Sequence, residues 1–308
     1  MSVFSPLIGQ SQAVELLDRA ISVDRLAPAY LFVGTAGIGK RLAAECFLES
    51  LLSSSRSRIL NRNHPDLLWV EPTYLHQGKR LTTIEAEAAG VKRKTPPMIR
   101  LEQIREVSQF LSRPPLEAAR STVVIEQAET MPEAAANALL KTLEEPGRAT
   151  IILLATSIES VLPTIVSRCQ RIPFARLDAE SMAQVLKNVG HAEILSKPQL
   201  LALAQGSPGA AIAHQQTLES IPLEVLELVM QPPKSLRQAL TIARTVTKSI
   251  DGETQLWLID YLQQVYWTQS QSARSLRLLE KAKEQLLAYV QPQLVWEVMW
   301  MEFLAQPH

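Results

Sequence analysis

Residues 34–41 read GTAGIGKR. Gly34, Gly39 and Lys40 fit the phosphate-loop pattern G-x-x-x-x-G-K-[ST], and Gly37 adds a third glycine inside it. Such a loop cradles phosphate oxygens with backbone N–H groups and its lysine. The last position calls for a hydroxyl that ligates Mg²⁺, and here it is Arg41. A second motif departs in the same direction. The apolar run 122–126 ends in a position where P-loop ATPases carry an Asp for Mg²⁺, followed by a Glu that activates water. This chain has Glu126 and Gln127 there. Glu126 keeps a carboxylate on a longer arm, and Gln127 has no pKa useful for proton transfer. Two such departures in one site predict a degenerate ATP site with little or no hydrolysis. The bland alternatives are a glycine-rich turn with an incidental lysine, and a strand end that simply runs into a turn.

The flanking elements favour the loop. Before it lies AYLFV (29–33), a short apolar run that reads as a buried strand. After it, Leu42, Cys46, Leu48, Leu51 and Leu52 recur at near-helical spacing. Further strands are expected at 67–71, 122–126, 149–155 and 171–174, and helices near 10–23, 40–52, 101–112 and 133–144. This alternation predicts an α/β domain with a parallel sheet and helices on both faces over residues 1–175. Short helices with a turn at GSPG (206–209) follow over 176–217. From 218 to 308 the chain is leucine-rich and helical, with a break at Pro232-Pro233 and a helix start at Pro292. The stretches 53–63 and 76–98 read as surface insertions.

Composition bounds the reading. The chain has 308 residues, is 46% hydrophobic and 20% charged, and has zero formal net charge. It can bury substantial cores, and it is not a wholly basic nucleic-acid binder. It has two cysteines, Cys46 and Cys169, and no apolar run approaches the length of a membrane helix. A reduced, cytoplasmic protein is expected.

The segment AANALLKTLEEPGRATIILLATSIESVLPTIVSRCQRIPF, residues 135–174, resembles the bacterial clamp-loader branch of the AAA+ family. LIGQ (7–10), RLAPAYLF (25–32) and HPDLLWVEP (64–72) agree with it, and the resemblance covers residues 5–215. It implies an AAA+ P-loop domain (1–175), a small helical lid (176–217) and an all-α collar for oligomerisation (218–308). It implies a subunit of the DNA polymerase III holoenzyme, a DNA-directed DNA polymerase. The expected partners are gamma/tau-like ATPase subunits, a delta-like subunit, a sliding clamp and primed DNA. Arg168, in SRC, is expected to act as an arginine finger on ATP held by a neighbour, since a guanidinium is always charged and forks onto phosphate oxygens. A surface arginine at a helix end is its bland alternative.

Thr156 or Ser157 matches the sensor position after strand 149–155. Gly209 stands where hydrolysing relatives place an arginine. Gly34, Gly37, Gly39, Lys40, Arg41, Glu126, Gln127 and Thr156 thus make up a degenerate ATP site in a subunit without independent activity. ATP held without efficient hydrolysis is the one cofactor considered. Some relatives carry a four-cysteine zinc module after the loop helix. Residues 53–64 contain no cysteine, and His64 with Asp66 reads as turn chemistry, so no zinc or other metal is expected. Arg100, Arg105 and the cluster Lys92, Arg93, Lys94 are candidates for DNA contact. Two other readings stay open. One is an ATP-binding, slowly hydrolysing gamma/tau-like motor subunit. The other is a P-loop enzyme of another class, such as a small-molecule kinase, in which SRC and LLKTLEEP have no role.

Overall fold

A computed structural model of the chain describes residues 3–23, 25–91 and 95–305. The basic cluster Lys92, Arg93, Lys94 lies outside the described residues. The chain divides into two compact units, 1–181 and 182–308. The lid expected at 176–217 falls across that boundary, and the collar expected at 218–308 lies inside the second unit.

The first unit begins with α1 (Ser11–Ser22), β1 (Ala29–Val33), α2 (Lys40–Leu51) and α3 (Arg56–Leu60). Then come β2 (Leu67–Val70), β3 (Tyr74–His76), β4 (Lys79–Leu81), α4 (Thr83–Ala88) and α5 (Leu101–Leu111). It continues through β5 (Ser121–Ile125), α6 (Glu133–Glu144), β6 (Ala149–Ala155), α7 (Pro163–Val166), β7 (Gln170–Pro173) and α8 (Ala179–Asn188), whose end enters the second unit. Five strands form one sheet in the order β2-β5-β6-β1-β7, and every neighbouring pair is parallel.

The sheet is buried on both faces because its strands are apolar at successive positions. All seven residues of β6 are buried. On one face Leu31, Val123, Ile125, Ile151 and Leu153 share a core with Ile104 and Val107 of α5 and with Leu139 and Leu143 of α6. The alternate residues point the other way, where Tyr30 meets Phe47 of α2 edge to face at 5.2 Å. Helices on both faces follow.

The stretch read as an insertion at 76–98 holds ordered elements. Gln77 and Gly78 both have positive φ, and they turn the hairpin β3–β4. A capping box then starts α4: Thr82 accepts from the Glu85 amide and Glu85 from that of Thr82.

The second unit is helical: α9 (Pro198–Ala204), α10 (Pro208–Ser220), α11 (Leu223–Val229), α12 (Leu236–Ser249), α13 (Gly252–Ser270), α14 (Ala273–Leu287) and α15 (Pro292–Leu304). Ser207, Ser235, Asp251 and Ser272 cap α10, α12, α13 and α14, each accepting from the amide three residues on. Pro292 opens α15 as expected. The bundle buries Val225, Val229, Val295, Trp296, Met299 and Trp300 within itself, whereas Leu223 and Leu294 remain exposed. Trp296 Nε1 donates to Gln255 Oε1 at 2.9 Å and the Tyr266 hydroxyl to Val229 O at 2.9 Å, whereas Trp300 Nε1 is buried without a partner among the described residues.

Candidate functional site

The phosphate loop leaves the carboxyl end of β1 at Gly34, whose N–H donates to Ala155 O at 3.3 Å. A Cβ at this position would lie 2.7 Å from Phe174 O and 2.8 Å from Phe174 Cβ, so only glycine fits beside the end of β7. Gly37 and Gly39 have φ of +73° and +106°, the left-handed region that L residues avoid. Lys40 opens α2 and is buried. Its Nζ donates to Gly34 O and, at 2.8 Å, to Thr35 O. Burial pulls its pKa down to about 8, against the opposing pull of Glu129.

A cavity of about 320 Å³ opens over the loop. Gly37, Gly39, Lys40, Arg41, Glu126, Gln127, Glu129 and Thr156 all line it. The fold therefore gathers every residue assigned to the degenerate ATP site except Gly34, which packs behind it. Ser157, the other sensor candidate, accepts a hydrogen bond from the Ser160 amide at 3.2 Å, a local turn bond.

Arg41 and Glu126 meet in this cavity. Arg41 Nη1 lies 3.3 Å from Glu126 Oε1, and Arg41 Nε donates to Glu45 Oε1 at 3.1 Å. The guanidinium sits 5.4 Å from the ring centre of Trp69, which Arg62 approaches at 5.5 Å. Trp69 Nε1 donates to Glu126 Oε1 at 2.6 Å. The strand-end carboxylate is thus held by a cation and an indole. These residues do not fit Mg²⁺: the hydroxyl ligand is missing, and a fixed positive charge stands against the carboxylate. Gln127 occupies the left-handed region (φ 49°, ψ 53°) with its side chain exposed. Its carbonyl accepts from both the amide and the hydroxyl of Thr130 at 2.8 Å. Among the described residues, Thr35 Oγ1 and Glu129 Oε2 are buried with no hydrogen-bond partner.

Trp69, Glu45 and Glu129 escaped the sequence reading. It is the pairing of β2 with β5, Val70 opposite Ile125, that brings Trp69 near the strand end that presents Glu126, and that register is not written in the sequence.

Arg168 stands apart from this cavity, just after α7. Its Nη2 donates to Glu144 Oε1 at 2.7 Å and its Nη1 to Thr164 O at 3.1 Å, and the side chain is partly exposed. The Thr164 bond is a helix-end contact of the bland kind. Burial pushes the neighbouring Cys169 thiol up to about 12, so it stays neutral and unreactive. Gly209 is the second residue of α10.

His64 and Asp66 fasten a loop. His64 Nδ1 accepts from the Asp66 amide at 3.1 Å. Asp66 accepts from the amides of Leu116, Glu117 and Ala118 at 2.6 to 2.7 Å. Burial would raise the Asp66 pKa, but those three donors and His64 outweigh it and lower it. Among the described residues, no group of three or more His, Cys, Asp or Glu is arranged to hold a metal ion. Of the two arginines considered for DNA, Arg100 is half-buried at the start of α5 and Arg105 is exposed on it. No helix of the described residues is long and apolar enough to cross a membrane.

Two family models match in tandem. One, described as the DNA polymerase III delta subunit, covers residues 9–178. The other, described as the cyanobacterial DNA polymerase III delta prime C-terminal domain, covers residues 180–303. The chain belongs to the DNA polymerase III delta prime family. Its delta prime relatives include a subunit of Pseudomonas aeruginosa, 34% identical over 237 residues, which are 71% of this chain and 65% of that one. Another, from Bacillus subtilis (strain 168), is 34% identical over 185 residues, 56% of this chain and 50% of that one. The matches thus span between half and two thirds of these delta prime relatives' own length. A gamma subunit-related protein of Thermotoga maritima shares the fold with a TM-score of 0.52 at 18% identity, over 94% of this chain and 98% of that one. The chain therefore shares that protein's fold, with a phosphate-loop α/β unit followed by helices.

Proposed function

We propose that this chain is a clamp-loader subunit that does not hydrolyse ATP itself. It assembles with gamma/tau-like ATPase subunits and a delta-like subunit, and the complex places a sliding clamp on primed DNA. Membership of the delta prime family supports the assembly. The helices from residue 218 onward, inside the second unit, serve as the collar, and residues 176–217 serve as the lid.

The observation that carries the non-hydrolysing reading is the 3.3 Å contact between Arg41 and Glu126. A hydrolysing loop needs a hydroxyl and a free carboxylate for its metal at these two positions. Gln127 further lacks the carboxylate that would activate water. Arg168 is the finger donated in trans. It lies outside the chain's own cavity, is partly exposed, and keeps donors to spare beyond the three bonds it makes, to Thr164 O, Ser167 Oγ and Glu144 Oε1.

The test is ATP turnover by the purified chain and by the complex reconstituted with its ATPase subunits, clamp and primed DNA. The chain alone should stay far below about 1 s⁻¹, the low end for ordinary enzymes, and the complex should turn over only when assembled. A chain that hydrolyses at that rate alone would be a gamma/tau-like motor subunit. Lys40 in its loop and Glu126 at the strand end are the features that favour this second reading.

A further inference from the structure

The Mg²⁺ that this fold ordinarily uses does not suit the cavity over the loop, yet the cavity keeps its cations. Lys40 and Arg41 line it together, and its volume is within the range of small-ligand pockets. In a metal-dependent loop the divalent ion lies between phosphate oxygens and the strand-end carboxylate, and screens one from the other. Arg41 stands in the same relation to Glu126, at 3.3 Å. Its five N–H donors outnumber the two carboxylates it meets, Glu126 and Glu45. The side chain is 52% exposed, so it can turn toward a ligand without unpacking a core. Trp69 supports its flat face. One buried donor beside the loop, the Thr35 hydroxyl, lacks a partner among the described residues and is free to donate to a ligand oxygen.

We propose that Arg41 takes the place of the magnesium ion, so that this loop binds a nucleoside polyphosphate as the metal-free anion. The guanidinium bridges the phosphate chain and Glu126, and Lys40 with the loop amides holds the other side. A bound ligand then stays unhydrolysed, because no metal and no base attend it. The inference deepens the reading of a non-hydrolysing subunit and rests on it. It concerns binding by the chain alone, so its failure leaves the assembly experiments untouched.

The experiment is calorimetric titration of the full chain with ATP, once in excess EDTA and once in MgCl₂. The expected result is binding in EDTA at least as tight as in MgCl₂. Lys40→Ala should abolish it. Arg41→Thr should weaken binding in EDTA by about tenfold or more, the worth of one charge-assisted contact, and make binding depend on Mg²⁺. Arg41→Lys, which keeps a cation in place, should retain metal-free binding to within several-fold. It also stands in if the threonine variant fails to fold. Intrinsic fluorescence gives a second readout: a change on adding ATP in EDTA that Trp69→Phe removes. Binding only with Mg²⁺, no binding in either buffer, or equal metal-free binding by Arg41→Thr would each overturn the proposal. So would binding that survives Lys40→Ala.

Discussion

Arg168 and Glu144 lie 24 positions apart in sequence and 2.7 Å apart in the fold. One belongs to SRC and the other to LLKTLEEP, the two segments on which the family resemblance chiefly rested. Both side chains are substantially exposed, so the pair contributes at most about 1 kcal/mol to stability. Together with the bond to Thr164 O it fixes where the guanidinium points. Two motifs that read as separate strings are thus one constellation on the end of α6 and the turn after α7.

Arg168→Ala should therefore leave the chain folded, with a melting temperature within a few degrees of the wild type. In a reconstituted loader it should lower ATP turnover by orders of magnitude, on the scale of about 10³-fold for an arginine finger. Arg168→Lys should recover only part of this, since an ammonium cannot fork onto two oxygens. Steady-state ATPase with clamp and primed DNA measures both. Normal turnover by an assembled Arg168→Ala complex would reduce Arg168 to a helix-end cation.

Arg41→Thr with Gln127→Glu restores the hydroxyl and the water-activating carboxylate, and it releases Glu126 from its cation. The double variant should gain measurable Mg²⁺-dependent hydrolysis over the wild-type chain. If it hydrolyses no faster, a further element such as the glycine at 209 limits the site, and phosphate release assays on the triple variant with Gly209→Arg then decide.

Asp66→Ala removes the acceptor of three backbone amides in a buried setting. The expected loss is about 3 kcal/mol, read from urea unfolding midpoints. The sign with pH follows from the lowered Asp66 pKa. The stabilisation is present above the usual 3.8 and disappears as pH falls through the lower folded value. The wild-type advantage over Asp66→Ala should shrink in that acid range and nowhere above it.

His214 Nδ1 accepts from Trp257 Nε1 at 2.9 Å, a bond that requires the neutral ring. Burial lowers its pKa below 6.5, while a bond with the Leu203 backbone and the charge of Asp260 act in the opposite sense. The unfolded chain then takes up the proton first as pH falls. Stability contributed by this pair is present above about 6.5 and lost as the pH falls through the folded value. Unfolding midpoints of wild type against His214→Gln, followed from neutral pH to about pH 5, should converge toward the acid end. A constant gap across that range would exclude the linkage.

The strands and helices of the first unit were legible where composition left no choice. Residues 29–33 and 149–155 are continuous apolar runs between turn residues, and both strands have these limits. Strands 121–125 and 170–173 begin one residue earlier than their apolar cores suggest, because pairing to β6 and β1 continues through Ser121 and Gln170. The hairpin at 74–81 had a readable signal in Gln77-Gly78, but its strands are too short to show periodicity. In the site, the loop and its altered residues were visible as text. What Arg41 does was not. Glu45 lies one turn along the same helix, but Trp69 and Glu126 come from β2 and the end of β5, and only the assembly of the sheet brings them to Arg41. Likewise the leucine-rich composition after residue 218 did not say which apolar residues turn inward around Trp296 and Trp300 and which, as Leu223 and Leu294, stay outside.

Gly34 carries a last consequence. A Cβ there would collide with Phe174 whether or not a phosphate ever arrives. Selection for folding alone would hold this glycine in place while letting Arg41, half in solvent, drift. The first and last letters of the phosphate-loop signature therefore answer to different pressures, and the signature can outlive the chemistry for which it is usually read.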